Sequence, residues 1–183
     1  MKKQLLLVWH SRTGLAKAMA EAIERGALAA AQEMGESSRF IINRRRAADA
    51  VSSDLLAADG YAFCAPENLA STSGAMLEFF HSTYYAAFIT ETNARGESVE
   101  RSALAGRPYG LAVAAGSDGT SAARQMARIA QGWRLRPVVE EAVIIQNGQP
   151  QTAAAIALPK TCSPEAIAKC EELGGIVAAT ILL

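Results

Sequence analysis

Hydrophobic residues along this chain form short continuous runs, and longer segments in which they recur every three or four positions lie between the runs. The runs lie at residues 5–9, 39–43, 60–65 and 109–115, and a fifth predicted strand over residues 137–146 has its buried part at Val143, Ile144 and Ile145. Largely apolar runs of this length are typical of strands buried on both faces of a parallel sheet. The periodic segments cover residues 15–34, 75–80, 123–133 and 163–181 and predict amphipathic helices. Strand and helix in alternation predict a doubly wound, three-layer α/β/α fold with a five-stranded parallel sheet.

Composition narrows the class of protein and of partner. The chain has 183 residues, of which 50% are hydrophobic, so we expect a single domain spanning residues 1–183. A formal net charge of zero argues against nucleic acid and anionic membrane as partners and favours a small molecule. Three cysteines without metal-ligand spacing, no signal peptide and no long apolar run predict a cytoplasmic protein with no metal site and no membrane span.

The loop after the first strand carries the clearest chemical signal. Ser11, Arg12, Thr13 and Gly14 stand between a buried strand and a helix start. Free backbone N–H groups and the positive end of the helix dipole meet at such a loop, which suits a phosphate. In the alternative interpretation, Ser11 and Thr13 only cap the helix. The loop is neither a Walker loop nor a dinucleotide fingerprint, because the lysine and the further glycines are missing.

Two more loops share this character. Residues 66–74 follow the third strand and residues 116–120 follow the fourth, and both are small, polar and rich in glycine or serine. Ligands of doubly wound sheets bind beyond the carboxyl ends of the strands. In the strand order 2-1-3-4-5 all three loops meet at one rim, which predicts a single site there.

Four other stretches leave alternatives open. The triple arginine at residues 44–46 is either a solvated edge or a binding site for the additional phosphate of NADPH. Residues 84–108 begin like a continuing helix and become polar, so they form either a surface excursion or an interface element of a homodimer. The two glycines at residues 174–175 predict close approach of the last helix to the sheet, with a helix break as the alternative.

For the aromatic residues Trp9, Phe79 and Phe80, packing in the core is favoured over contact with a ligand.

The residues of these loops resemble those of the flavodoxin-like FMN proteins. The resemblance depends on Ser11-Arg12-Thr13-Gly14, on Pro66-Glu67-Asn68 with Ser73-Gly74-Ala75, and on Ala115-Gly116-Ser117-Asp118-Gly119-Thr120, and it runs from about residue 4 to residue 145. The chain is most similar to the NAD(P)H-dependent FMN and quinone reductase branch, because it lacks the acidic charge of electron-carrying flavodoxins.

The resemblance implies a cofactor site in three parts. The FMN phosphate would lie on Ser11, Arg12, Thr13, Gly14, Leu15 and Ala16. The isoalloxazine ring would lie against Pro66, Glu67, Asn68, Leu69 and Ala70 on one side and Gly116, Ser117, Asp118 and Gly119 on the other.

Two departures from the family pattern affect the expected function. Ala16 stands where the family often has a Ser or Thr, and a missing hydrogen bond of about 1.5 to 3 kcal/mol would weaken FMN roughly ten- to a hundredfold. The ring loops also lack the stacking Trp or Tyr of many flavodoxins, and an uncovered ring face suits hydride transfer from NAD(P)H.

The function expected from the resemblance is therefore an FMN-dependent NAD(P)H oxidoreductase that reduces quinones or similar small acceptors. The flavin supplies the redox chemistry, so no catalytic side chain is assigned. Two alternatives remain: a flavodoxin-type electron carrier, and a binding or regulatory module that kept the fold and lost tight FMN binding.

Overall fold

The structure is a computed structural model that describes residues 2–183. In chain order its elements are β1 (Lys3–Trp9), α1 (Leu15–Glu33), β2 (Phe40–Arg46), α2 (Ser52–Ala57), β3 (Gly60–Asn68), β4 (Ser71–Thr72), α3 (Gly74–Thr83), a 3₁₀ turn (Tyr85–Ala87), β5 (Phe88–Thr92), β6 (Ser98–Ser102), β7 (Pro108–Ala115), α4 (Thr120–Gly132), β8 (Arg136–Pro137), β9 (Val143–Gln146), α5 (Ala153–Ile156) and α6 (Pro164–Leu182).

A parallel sheet with helices on both sides confirms the predicted fold class. Its strands lie in the order β2-β1-β3-β7, and β8 and β9 share the outermost position beside β7. These are the five positions expected from the sequence, in the expected order. The sheet has seven strands rather than five because the outermost position is divided and because β4 pairs antiparallel with β3.

The divided outer strand has a simple cause in the sequence. Residues 138–142 leave the sheet between β8 and β9 and include Glu140 and Glu141, which are both exposed. Two adjacent carboxylates cannot both turn away from a buried face in a regular strand, where side chains alternate. The predicted single strand over residues 137–146 is therefore wrong in its middle.

Side chains of alternate strand positions build two cores, one on each face of the sheet. Leu5 and Leu7 of β1 face the core beneath α1 and α6, whereas Leu6 and Val8 face the core beneath α3 and α4. The core beneath α3 and α4 holds Phe79 and Phe80, as expected, together with Phe63 and Trp133, whereas Trp9 is only partly buried against the other core. Every residue of β7 is buried, as a central parallel strand requires.

Helices α1 and α6 pack against each other at glycines. A Cβ atom on Gly174 would overlap the carbonyl oxygen of Ile23, and one on Gly26 would overlap that of Glu171. The close approach expected at residues 174–175 thus exists, but toward α1 and not toward the sheet. Helix α6 continues without a break, and Ser163 caps it by accepting a hydrogen bond from the Ala166 N–H.

The stretch from Tyr84 to Pro108 forms a 3₁₀ turn and a two-stranded hairpin, so the expectation of a continuing helix is wrong. Strands β5 and β6 pair antiparallel with each other and form a sheet of their own. The Trp133 indole donates to the Tyr84 carbonyl at the carboxyl-terminal end of α4. The hairpin therefore lies at the opposite end of α4 from the loop at residues 116–119. Within residues 2–183 no helix is long and apolar enough to cross a lipid bilayer.

Candidate functional site

The loop between β1 and α1 is shaped by Ser11 and Gly14. The Ser11 hydroxyl oxygen accepts a hydrogen bond from the Gly14 N–H at 3.1 Å, and Gly14 has φ 102°, a value that favours glycine. Helix α1 begins at the next residue, Leu15. Because the first N–H groups of a helix have no partner within that helix, the loop presents donors together with the Ser11 and Thr13 hydroxyls and the Arg12 guanidinium.

A cavity of about 710 Å³ connects this loop with the loops after β3 and β7. Its volume lies in the range typical of small-molecule sites, roughly 300 to 1,000 Å³. The cavity brings together most of the residues predicted from the sequence, namely Ser11, Arg12, Thr13, Leu15, Ala16, Pro66, Glu67, Asn68, Leu69, Ala70, Gly116 and Ser117.

Three predicted residues do not line the cavity. Gly14 turns the first loop, and Gly119 starts α4 with φ 80°. The Asp118 carboxylate accepts hydrogen bonds from the N–H and the hydroxyl of Thr120, the first residue of α4. These residues shape the backbone around the cavity and do not form its wall.

The loop after β3 is a rigid hairpin and not the open loop expected from the sequence. Leu69 and Ala70 form its tip with φ values of 53° and 58°, which are uncommon for residues other than glycine. The Gln125 side-chain oxygen on α4 accepts from the Thr72 N–H and the Ser71 hydroxyl, both at 2.9 Å. The hairpin is thus held in place, while the Leu69 side chain at its tip is fully exposed.

Residues 147–160 form a further wall of the cavity, which the sequence interpretation missed because the segment carries no recognisable motif. The lining residues from this segment are Asn147, Gln151, Ile156, Ala157 and Lys160. Gln151 donates to the Gly116 carbonyl at 2.9 Å, and the Lys160 N–H donates to the Thr13 carbonyl at 2.7 Å. The segment follows the outermost parallel strand, so the rule that ligands bind at the carboxyl ends of strands was the signal that would have found it.

The triple arginine lies inside β2, and two of its members are engaged within the chain. Arg44 pairs with Glu24 at 2.9 Å, and Arg45 donates to Asp54 at 3.2 Å. Burial acts to raise the pKa of Asp54, but hydrogen bonds from Asn43 and the Val51 N–H, with the charge of Arg45, hold that pKa below its usual value.

The third arginine, Arg46, belongs to a basic patch beside the first loop. Its guanidinium lies 5.8 Å from the ring centroid of Trp9, which is partly buried against the core under α1 and α6. Arg12 and Arg46 form no ion pair within residues 2–183. Burial, and then the charges of Arg12 and Arg46, lower the pKa of His10 below its ordinary value. The patch therefore suits an anion.

The buried cysteine beside this site, Cys64, is not suited to act as a nucleophile. The Cys64 thiol lies under the first loop and donates to the Ala16 carbonyl at 3.3 Å, and burial raises its pKa well above the ordinary value. A neutral buried thiol is a poor nucleophile. Residues 2–183 contain no group of three or more His, Cys, Asp or Glu side chains able to hold a metal ion.

Comparisons with known proteins place the fold among the flavodoxins. An archaeal flavodoxin superposes with a TM-score of 0.68 at 15% identity, covering 98% of this chain and 99% of that one. A WrbA-like flavodoxin from Agrobacterium tumefaciens gives 0.65 at 16% identity, covering 99% and 98%. An oxidoreductase from Corynebacterium diphtheriae gives 0.67 at 17% identity, covering 99% and 97%. No protein-family model matches the chain, and a search of curated proteins gives no significant match. The similarity establishes a flavodoxin-like fold.

Proposed function

We propose that this chain binds FMN and transfers hydride from NAD(P)H to a small acceptor such as a quinone. The observation that carries the proposal is the single cavity lined by the loops after β1, β3 and β7. Those are the loops at which the sequence resembles the flavodoxin-like FMN proteins, and the fold comparisons support the same class of cofactor.

The residues present fit FMN at both ends of the molecule. Ser11, Arg12 and Thr13 supply two hydroxyls and a cation for the phosphate, next to the first turn of α1. At the other end, backbone groups of the hairpin between Pro66 and Ala70 lie on the cavity and face those of Gly116 and Ser117 across it. Backbone donors and acceptors of this kind orient a flavin ring and tune its electronics.

In the proposed reaction the protein's residues orient the flavin and leave room for the substrates to reach it. The bound flavin supplies the hydride chemistry. The hairpin would border the edge of a bound flavin ring, and hydrogen bonds with Gln125 and the Gly119 N–H hold it in place. The cavity wall carries no aromatic side chain, so one ring face is left for a nicotinamide or a quinone to stack on.

We propose NADPH rather than NADH as the reductant, because Arg46 offers a further cation beside the one that Arg12 supplies to the FMN phosphate. The Arg46 guanidinium lies against Trp9, the last residue of β1, and forms no ion pair within residues 2–183. Guanidinium groups bind phosphate through paired N–H donors. We propose that Arg46, rather than Arg44 or Arg45, accounts for the nucleotide-phosphate site considered at the triple arginine. We further propose a cytoplasmic protein that acts on small molecules, with a homodimer as its assembly.

An absorption spectrum of the purified protein, taken before and after FMN addition and desalting, tests the cofactor. Flavin bands near one equivalent support the proposal, and a protein that retains no added FMN refutes it in favour of a binding or regulatory module. NADPH oxidation with a quinone then separates the enzyme from an electron carrier. A flavin-loaded protein that NADPH does not reduce directly would establish the carrier.

A further inference from the structure

We propose that Lys160 belongs to the phosphate site and that its charge gives the protein a preference for FMN over riboflavin, the same flavin without phosphate. The inference rests on the proposed FMN site and extends it to a segment outside the three loops. Lys160 lines the same cavity as Ser11 and Arg12, although it lies about 150 residues further along the chain.

The main chain of Lys160 runs along the phosphate loop. Its N–H donates to the Thr13 carbonyl at 2.7 Å. Its carbonyl oxygen lies so close to Gly14 that a Cβ atom there would be 3.2 Å from it. Two consecutive residues of the loop thus contact this one residue, which places Lys160 at the phosphate end of the cavity and not at the ring end.

The ammonium group of Lys160 is fixed by three backbone carbonyls. Its Nζ donates to the oxygens of Ala155 and Ile156 at 3.0 Å and to that of Leu158 at 3.1 Å. An ammonium has three N–H donors, so all of them are engaged. The positive charge is therefore held in one position instead of moving with a flexible side chain.

No carboxylate neutralises this charge, because Lys160 forms no ion pair within residues 2–183. Carbonyl dipoles orient the ammonium without cancelling its net charge. A phosphate on the neighbouring loop would therefore feel a fixed cation, in addition to Arg12, whose own side chain is exposed.

The need for a second cation follows from Ala16. This residue lines the cavity beside the start of α1 and has no hydroxyl with which to contact a phosphate. Ser11 already accepts the Gly14 N–H with its oxygen. A fixed charge on Lys160 compensates for the missing hydroxyl, and it acts on the phosphate alone because riboflavin has no charge at that position.

The test compares the dissociation constants of FMN and riboflavin, measured by quenching of flavin fluorescence. Lys160→Gln removes the charge and keeps two of the three N–H donors, on a side chain that is shorter by one atom. We expect this variant to bind FMN about tenfold more weakly, with riboflavin affinity changed by less than about twofold. Lys160→Arg should keep the preference for FMN, and Lys169→Gln, at an exposed position on α6, should behave like the wild type.

A salt titration provides a second measurement on the wild-type protein and on Lys160→Gln. Exposed or partly exposed charges are screened by salt, so FMN binding should depend less steeply on salt in the variant. This comparison needs only a folded variant with measurable binding, and urea denaturation establishes folding.

The outcomes separate this inference from the proposed function. If Lys160→Gln weakens FMN and riboflavin equally, Lys160 only supports the wall at residues 153–160, and the inference is wrong. If Lys160→Gln binds both flavins as tightly as the wild type does, the inference is also wrong, and the proposed FMN site stands. A wild-type protein that binds neither flavin would overturn both proposals.

Discussion

The Glu67 carboxylate on the β3 hairpin accepts a hydrogen bond from the Gly119 N–H at 3.0 Å and so joins two of the loops that border the cavity. Gly119 is the residue before α4, so its N–H would otherwise point outward without a partner in the helix. The bond fixes the distance between the two sides of the ring site.

Glu67→Ala should destabilise the protein and loosen the ring site. We expect the free energy of unfolding to fall by about 1 kcal/mol, the value for a typical protein hydrogen bond, because solvent screens this partly exposed carboxylate. Glu67→Gln keeps an acceptor oxygen and serves as the control. Urea denaturation of both variants measures the effect, and equal stability of Glu67→Ala and wild type would show that the bond contributes nothing.

The glycine contact between α1 and α6 predicts opposite results for two neighbouring substitutions. Gly174→Ala should destabilise the protein by at least about 2 kcal/mol, because its Cβ would overlap a backbone carbonyl that no side-chain rotation can move. At Gly175 an added Cβ would lie 3.6 Å from the nearest atom, an ordinary contact. Gly175→Ala should therefore stabilise α6 by roughly 0.5 to 1 kcal/mol.

Thermal denaturation of the two alanine variants is the measurement, and for a chain of this size 1 kcal/mol corresponds to roughly 2 to 4 °C. Equal melting temperatures for Gly174→Ala and Gly175→Ala would contradict the close packing of the two helices.

Ala16→Ser should strengthen FMN binding. The substitution adds a hydroxyl beside the first turn of α1, and a hydrogen bond to a phosphate would raise affinity about tenfold. Riboflavin is the control ligand, because the new hydroxyl has no phosphate to contact there. Fluorescence titrations with FMN and with riboflavin measure the two affinities. An equal increase in affinity for both flavins would show that the new hydroxyl does not contact the phosphate.

His10 should make stability fall on acidification. Its pKa in the folded protein lies below the ordinary value of 6.5, owing to burial first and then to Arg12 and Arg46. Above pH 6.5 the imidazole is neutral in both states and contributes nothing. As the pH falls below 6.5, the unfolded chain binds a proton that the folded protein resists, so the folded state loses stability.

Urea denaturation at pH 7.5, 6.5 and 5.5 compares the wild type with His10→Asn and with the control His81→Asn, at an exposed position on α3. Between pH 7.5 and pH 5.5 the free energy of unfolding should fall more for the wild type than for His10→Asn. A difference that stays constant with pH would contradict the assignment.

The sequence predicts the sheet well because burial on both faces leaves a signal in each strand separately. The runs at Leu5 to Val8 and at Tyr109 to Ala115 are apolar at every position, and both strands are central. The hairpin tip at Leu69 and Ala70 could not be predicted, since neither residue favours a positive φ. There the hydrogen bonds that the hairpin makes with Gln125 and with the Gly119 N–H, both distant in the chain, hold the backbone.

The sequence predicts those site residues that lie together in one loop of distinctive composition. It does not predict those that reach the site from a distant segment. The loop Ser11 to Gly14 could be recognised from its residue types and from the strand and the helix on either side of it. Lys160 belongs to a segment of ordinary loop composition, and only the folded chain brings it to Thr13. Its three carbonyl contacts depend on the turn of α5, which has no strong helical pattern.

The division of the outer strand into β8 and β9 also bears on how the protein behaves at high concentration. A long, straight outer strand offers a row of unpaired N–H and C=O groups to which another molecule can add a strand, and such addition starts aggregation. Here the row is broken after Pro137 and resumes only at Val143, with the exposed carboxylates of Glu140 and Glu141 in the gap. A chain whose sheet would otherwise be open on this side is thereby protected from growing into larger sheets.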